Sequence, residues 1–363
     1  MNTEGTGRET RGIALIGCGG MASHYRGNYA AIPGTQYRLV VDVNAELARQ
    51  VAQEHNVARF STDWRDALAD DIYIADISTP NHLHAEQAVA LLEAGKHVII
   101  QKPMAPTLAE CRAIVAAAQA SQRQAAVYMS DLEDPIVWDF REIVQGGYIG
   151  QVTGVRARYA HRGVLRAAGN AQSASYWRSS AEKTGGGAFI QLSLHHTNLL
   201  SWILDDQITS VMAYARNLMC PHIGGDDTTA SVVEFGRTGA IGTFDAAWNA
   251  EGTTVEIYGS GGILRMRGGQ GAAVEAQLSR PFSGRVVRVP DDRLTLILAS
   301  GGMHEHCQSD NPLNQHIAFV EAVRDEKPYP ITAEIGMYDV AVAKAVYGSS
   351  DEGRRIEISE LLS

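Results

Sequence analysis

The chain has 363 residues, of which 45% are apolar and 20% charged, enough for a large core and too long for a lone small binding module. Its 31 basic side chains face 41 acidic ones, a net charge of −10, which argues against general attraction to nucleic acid or an anionic membrane surface. Cys18, Cys111, Cys220 and Cys307 form no close pair, so neither a disulfide framework nor a metal knuckle is expected. No apolar run approaches the about 18 residues that cross a bilayer. The expectation is a cytoplasmic protein with a small-molecule ligand, no nucleic-acid partner and no membrane.

From residue 12 to 129, short apolar runs alternate with helical periods. The runs predict strands at 13–16, 37–43, 72–77, 97–100 and 124–129. Helix start signals fall between them: Asn44 before a helix over 45–55, Asn81 before one over 82–94, and a capping box from Thr107 to Glu110 before one over 111–120. Strands separated by helices make a Rossmann-like, doubly wound parallel sheet, a domain over residues 1–129. After residue 130 the texture changes. A helix over 135–145 leads to a strand over 151–161, then a glycine-rich helix start at 185–187. Strand-like runs follow at 208–219, 228–235, 240–248, 253–258, 263–267, 285–289 and 294–298. Helices over 311–325 and 333–347 and a strand over 354–358 close the chain. Tight glycine turns between the runs predict an α+β domain over 130–363 with a large, mostly antiparallel open sheet.

Glycine is about 10% of the chain, 36 residues, above the usual share of about 7%. Some of the surplus has a definite use. Gly17-Cys-Gly-Gly-Met-Ala22 follows the first strand and is expected to open a helix ended by Pro33-Gly34. Gly17 would make the tight turn, Gly19 and Gly20 would admit a pyrophosphate, and Ala22 would let helix pack on strand. Asp42 ends the second strand, where an acid chelates ribose hydroxyls and repels a 2′-phosphate, so NAD is the expected cofactor. Ser78-Thr-Pro-Asn-His-Leu-His84 and Gln101-Lys-Pro103 follow the next two strands. The cofactor contacts expected there are Thr79, Pro80, Asn81, His84, Gln101 and Lys102, in addition to Gly17, Gly19, Gly20, Met21, Ala22 and Asp42. Lys102 is placed beside the nicotinamide, where it would take or return a hydroxyl proton.

In the second unit, Gln191, His195 and Asn198 recur at helical spacing and predict a polar stripe on an otherwise apolar helix. His196, one residue round, reads as a core histidine. Residues 143–181 contain no acid but hold Arg156, Arg158, Arg162, Arg166 and Arg178, either a receptor for an anionic or hydroxyl-rich ligand or a solvated face pairing with acids elsewhere. Cys220, His222, Asp226 and Asp227 lie close in sequence, but no metal is expected in a strand-to-strand loop.

Taken in order, the glycine turn, Thr79-Pro-Asn-His-Leu-His84, Glu93-Ala-Gly-Lys-His-Val98, Lys102-Pro103, Trp177-Arg178 and Gly185-Gly-Gly with His195 eight residues beyond resemble the Gfo/Idh/MocA oxidoreductases. The resemblance runs from about residue 11 to the C-terminus. It implies NAD-dependent hydride transfer to or from a secondary ring hydroxyl of a sugar, glycoside or cyclitol, and a homo-oligomer, a dimer or tetramer, formed through the C-terminal sheet. It also implies Lys102 and His195 as catalytic residues, with Gln191, Asn198, Trp177, Arg178 and Tyr159 in the substrate pocket. Two positions depart from the family pattern. Gln101 replaces a glutamate, and Gln191 replaces an aspartate four residues before the histidine. Three outcomes are open: His195 becomes the main acid/base while Lys102 orients the hydroxyl, Gln191 only hydrogen-bonds substrate, or redox chemistry is lost. The first is favoured. The alternatives to a dehydrogenase are an enzyme that uses tightly held NAD transiently for elimination or isomerisation, and a sugar- or NAD-sensing regulator.

Overall fold

The computed structural model describes residues 11–32, 34–162, 177–267, 273–278, 294–298, 303–305 and 314–363. The expected strand at 285–289, with Arg166 and Cys307, lies outside them. The chain forms two compact units, Met1–Tyr128 with Asn314–Gly336, and Met129–Leu313 with Met337–Ser363. The segment Asn314–Gly336, assigned by its position to the second domain, therefore clusters with the first.

In the first unit the strands are β1 Arg11–Ile16, β2 Thr35–Val41, β3 Arg59–Ser61, β4 Ile74–Ile77, β5 His97–Gln101 and β6 Ala125–Tyr128. They form one sheet in the order β3-β2-β1-β4-β5-β6, and every pairing is parallel. Every residue of β4, β5 and β6 is buried, as expected of a parallel sheet covered on both faces. The connecting helices are α1 Ala45–Glu54, α2 His84–Glu93 and α3 Leu108–Ser121. Asn44 caps α1 by accepting from the N–H groups of Glu46 and Leu47. The capping box of Thr107 and Glu110 is formed at α3. The order reverses between β1 and β4, so the loops leaving their carboxyl ends meet at the switch point of the sheet.

The second unit begins with helix α4 Pro135–Gln145 and strand β7 Val152–Ala160. A π-helical turn, Phe189–Ser193, leads into α5 Leu194–Leu204. Then come β8 Ile208–Arg216, β9 Thr228–Phe235, β10 Ile241–Ala247, β11 Gly252–Gly259, β12 Gly262–Arg267, β13 Ala273–Leu278, β14 Leu294–Leu298 and β15 Met303–Glu305. After helix α6 Gln315–Arg324 and helix α7 Ala333–Glu352, β16 Ile356–Glu357 completes a ten-stranded sheet in the order β15-β14-β13-β12-β11-β7-β10-β9-β8-β16. Its pairings are antiparallel except β7 with β10 and β13 with β14. Alternation along β9 buries Thr229, Ser231, Val233 and Phe235 and leaves Ala230 and Val232 outward, the period-two pattern of a sheet with one covered face.

Candidate functional site

The chain turns as soon as β1 ends. Gly17 has a φ of +95°, and a Cβ there would lie 2.7 Å from the main-chain carbon and oxygen of Ser78. Only glycine fits where these two backbones touch. The junction is held by Gly17 N–H donating to Val41 at 2.8 Å and Ser78 N–H donating to Ile16 at 2.7 Å. Gly19 and Gly20 are exposed, and nothing lies within 4 Å of a Cβ built on either, which leaves the space a pyrophosphate needs. Met21 is half-buried and Ala22 is buried. Asp42, the first residue after β2, accepts from Cys18 N–H at 2.8 Å on one oxygen and from Asn44 N–H at 2.9 Å on the other. A carboxylate has about four acceptor sites, so capacity remains for ribose hydroxyls. These residues fit a dinucleotide.

The continuous helix expected after the turn is not formed. In its place are two short 3-10 turns, Ala22–His24 and Asn28–Ala31. Gly27 and Asn28, both poor helix formers, interrupt the run, while Tyr25 and Tyr29 are drawn onto a buried acid. Their hydroxyls donate to Asp76 on β4, at 3.3 Å and 2.8 Å. The Tyr25 hydroxyl also bonds Ser78. Burial pushes the Asp76 carboxyl up to about 7, against the hydroxyls that favour its charge. His316 on α6 stacks on Tyr25, 3.9 Å between ring centres, with Nε2 3.7 Å from Asp76. Burial pushes this imidazole down to about 3.

Past β4, Thr79 and Pro80 are half-buried and Asn81 is buried. Thr79 Oγ1 donates to Gln87 at 2.7 Å. His84, expected to touch the cofactor, is instead fully buried. Its Nε2 faces the Thr79 carbonyl at 2.8 Å and its Nδ1 the Pro103 carbonyl at 3.1 Å, so it ties the loop after β4 to the loop after β5. Burial lowers its pKa more than the two carbonyls raise it. Gln101 is also buried, and Lys102 beside it is half-buried.

In the second unit, the triple glycine is fitted to protein rather than to a ligand. A Cβ on Gly187 would lie 2.0 Å from the Asp226 carbonyl, and one on Gly186 would lie in the Tyr347 ring. The Asp226 carboxylate accepts from Gly187 N–H at 2.9 Å, Phe189 N–H at 3.0 Å and Thr229 Oγ1 at 2.5 Å. The Tyr347 hydroxyl accepts from the N–H groups of Gly187 and Ile190, at 3.2 Å and 3.1 Å. These acceptors satisfy the open end of the π-helical turn that holds Gln191, which is buried. Asp227 has a similar structural task. It accepts from the N–H groups of Leu218, Met219 and Cys220, and these bonds hold its carboxyl below the usual range against the burial that would raise it.

The expected polar stripe is divided, with Gln191 in the π-helical turn and His195 and Asn198 in α5 on separate partners. Asn198, expected at the substrate, donates Nδ2 to Asp339 at 2.9 Å, with both residues buried. Burial raises the Asp339 carboxyl well above its ordinary range. His196 is buried, and burial pushes it down to about 4, a neutral core histidine. His195 turns elsewhere, with Nδ1 2.5 Å from Oδ2 of Asp131. Sequence reasoning passed over Asp131. It stands in the short turn Ser130–Glu133 just beyond β6, and its place past the carboxyl end of a strand was the available signal. The Tyr159 ring centre lies 5.6 Å from that of His195 and 5.2 Å from that of His196. Burial, reinforced by the Asp131 charge, pushes the Tyr159 phenol up to about 12. Trp177 and Arg178 stack on each other at 4.3 Å. Of the other arginines, Arg158 pairs with Asp245 at 2.6 Å and Arg156 lies over the Tyr258 ring at 5.4 Å, the solvated-face arrangement.

Comparison with known proteins agrees with both units. Residues 11–129 match the family profile of oxidoreductases with an NAD-binding Rossmann fold, and residues 137–265 match the Gfo/Idh/MocA C-terminal domain. The levoglucosan dehydrogenase of Pseudarthrobacter phenanthrenivorans is 29% identical, over 69% of this chain and 72% of that protein. The 1,5-anhydro-D-fructose reductase of Ensifer adhaerens is 24% identical, over 95% of this chain and 97% of that protein. A structure of levoglucosan dehydrogenase with NADH and L-sorbose superposes with a TM-score of 0.80 at 22% identity, covering 97% of this chain and all of that one.

Proposed function

This chain belongs to the Gfo/Idh/MocA oxidoreductases, whose first domain is an NAD-binding Rossmann fold, and from that premise we propose a dehydrogenase or reductase for a secondary ring hydroxyl of a sugar, glycoside or cyclitol. The observation that carries the chemistry is the Asp131–His195 pair. It holds one nitrogen of a buried imidazole on a carboxylate, which assigns the acid or base role to the other. The relatives' substrates, an anhydrosugar and an anhydroketose by name, support the substrate class.

In this reading Gly19 and Gly20 present main chain to the pyrophosphate, and Asp42 takes the ribose hydroxyls. Bound NAD supplies the hydride acceptor. Oxidation of a secondary alcohol also releases a proton, which Nε2 of His195 accepts and, in the reverse direction, returns. Lys102 orients the hydroxyl through its ammonium. His84 fixes the carbonyls on either side of that lysine's loop and the Thr79 loop. Tyr159, Trp177 and Arg178 are the remaining candidates for substrate contacts, as aromatic faces and a guanidinium fork suited to a hydroxyl-rich ring.

The same reading places the enzyme in the cytoplasm and makes it a homo-oligomer. Among the described residues, no helix is long and apolar enough to cross a membrane. Met212 and Tyr214 on β8, Val232 on β9 and Ile241 on β10 are 48–68% exposed, an apolar row suited to a second copy.

A panel of pyranoses, glycosides, anhydrosugars and inositols, assayed with NAD and followed by NADH formation, tests the proposal. NADH with one substrate class supports it. Product formation without net NADH points to the transient-oxidation alternative. NADH binding with no turnover of any member favours a sensor.

A further inference from the structure

We propose that Asp131 is the positioning residue of His195, the carboxylate that sets its tautomer and steadies its charge, an inference that rests on the proposed role of His195 as base. A carboxylate only accepts hydrogen bonds, so at 2.5 Å Nδ1 of His195 must donate. The neutral imidazole then carries its lone pair on Nε2, the nitrogen that would take a hydroxyl proton. When it does, the imidazolium forms against a negative charge already in place, the arrangement that orients a histidine base.

Tyr159 on β7 is pushed up to about 12 and stays protonated. His196, next to His195 on α5, is pushed down to about 4 and stays neutral. His161 lies edge-on to Tyr159, with 6.2 Å between ring centres. Asp139 belongs to α4, which packs against α5; it is buried, with its carboxyl raised to about 7. The residue one turn before His195 is Gln191, an amide that offers no charge. Among the described residues, Asp131 is the carboxylate in hydrogen-bond contact with Nδ1 of His195. It comes from a point 64 residues earlier in the chain.

Asp131 keeps 34% of its side chain exposed, which makes chemical rescue feasible. In the full-length enzyme with its panel substrate, Asp131→Asn keeps an acceptor oxygen but removes the charge. We expect kcat/KM to fall by about 10²–10⁴-fold, mostly in kcat. NADH affinity should be unchanged, and the acidic limb of the pH profile for alcohol oxidation should move to lower pH, because the imidazolium has lost its partner. Formate should restore part of the activity of Asp131→Ala. Independently of activity, the downfield Nδ1 proton of His195 in the NMR spectrum should move upfield in Asp131→Asn, where a neutral acceptor replaces the carboxylate, and vanish in His195→Ala. Turnover within about threefold of wild type, or a loss with neither profile shift nor formate rescue, overturns the proposal. If His195→Ala itself retains turnover, the reading of His195 as base fails instead, and the Nδ1 proton still tests the pair.

Discussion

The glycine turn makes two opposite demands that a pair of alanine substitutions separates. Gly17→Ala puts a side chain at a φ of +95°, with its Cβ 2.7 Å from Ser78 main-chain atoms that have no room to yield. The left-handed conformation costs about 1–2 kcal/mol and the overlap a further 1–3 kcal/mol or so. The total of about 2–5 kcal/mol falls on the protein without any ligand, a drop in Tm of roughly 4–20 °C. Gly19→Ala meets nothing within 4 Å. Its apo stability should stay within about 0.5 kcal/mol of wild type. The added methyl instead occupies space assigned to the pyrophosphate, so NADH affinity should fall about 10–100-fold. Thermal melts without cofactor and fluorescence titration with NADH measure the two effects separately. If Gly19→Ala loses apo stability as Gly17→Ala does, or binds NADH like wild type, the division of labour within the turn is wrong.

Three further outcomes are expected. Lys102→Ala should abolish turnover while NADH titrates with nearly unchanged affinity; turnover surviving within about tenfold, a loss under about 1.4 kcal/mol, removes Lys102 from the chemistry. Asp139 is buried, its Oδ2 has no hydrogen-bond partner among the described residues, and burial raises its carboxyl to about 7. The folded state therefore holds this proton more tightly than the unfolded chain, and stability is lost as pH rises from about 4 through 7. Asp139→Asn should melt higher than wild type at about pH 8 and equally at about pH 4. The ceiling on the gain is about 4 kcal/mol, much of it removed by solvent relaxation. Equal melting at both pH values would show that Asp139 ionises at no cost. Tyr347→Phe removes the hydroxyl that accepts from Gly187 and Ile190 and should cost about 1–3 kcal/mol in a denaturation curve, whereas an unchanged midpoint would mean that those N–H groups have other acceptors.

What was legible in the sequence is what short-range chemistry dictates. The glycine turn, Asp42 at the end of β2, the Asn44 cap and the Thr107–Glu110 capping box each involve residues a few positions apart or at a fixed place in one βα unit. The short strand β3 was missed because none of its residues is buried, so it leaves no apolar pattern. The π-helical turn was invisible to a 3.6-residue period, and it takes in Gln191 while His195 and Asn198 lie in the α-helix that follows. The contacts that decide the site are long-range. Asp131 and His195 are 64 residues apart and Asn198 and Asp339 are 141 apart, and no local periodicity pairs them. Likewise, α6 clusters with the first unit, where it packs on β5 and β6 and its His316 ring stacks on Tyr25, contacts that sequence position does not reveal.

The most direct test follows the hydrogen itself. With the sugar or cyclitol that the panel selects, deuterated at the carbon bearing the reactive hydroxyl, one deuterium should appear at C4 of the NADH formed, and none should be lost to water. NADH free of deuterium, or a ketone formed while the label washes into solvent, would contradict hydride transfer between the ring carbon and the cofactor.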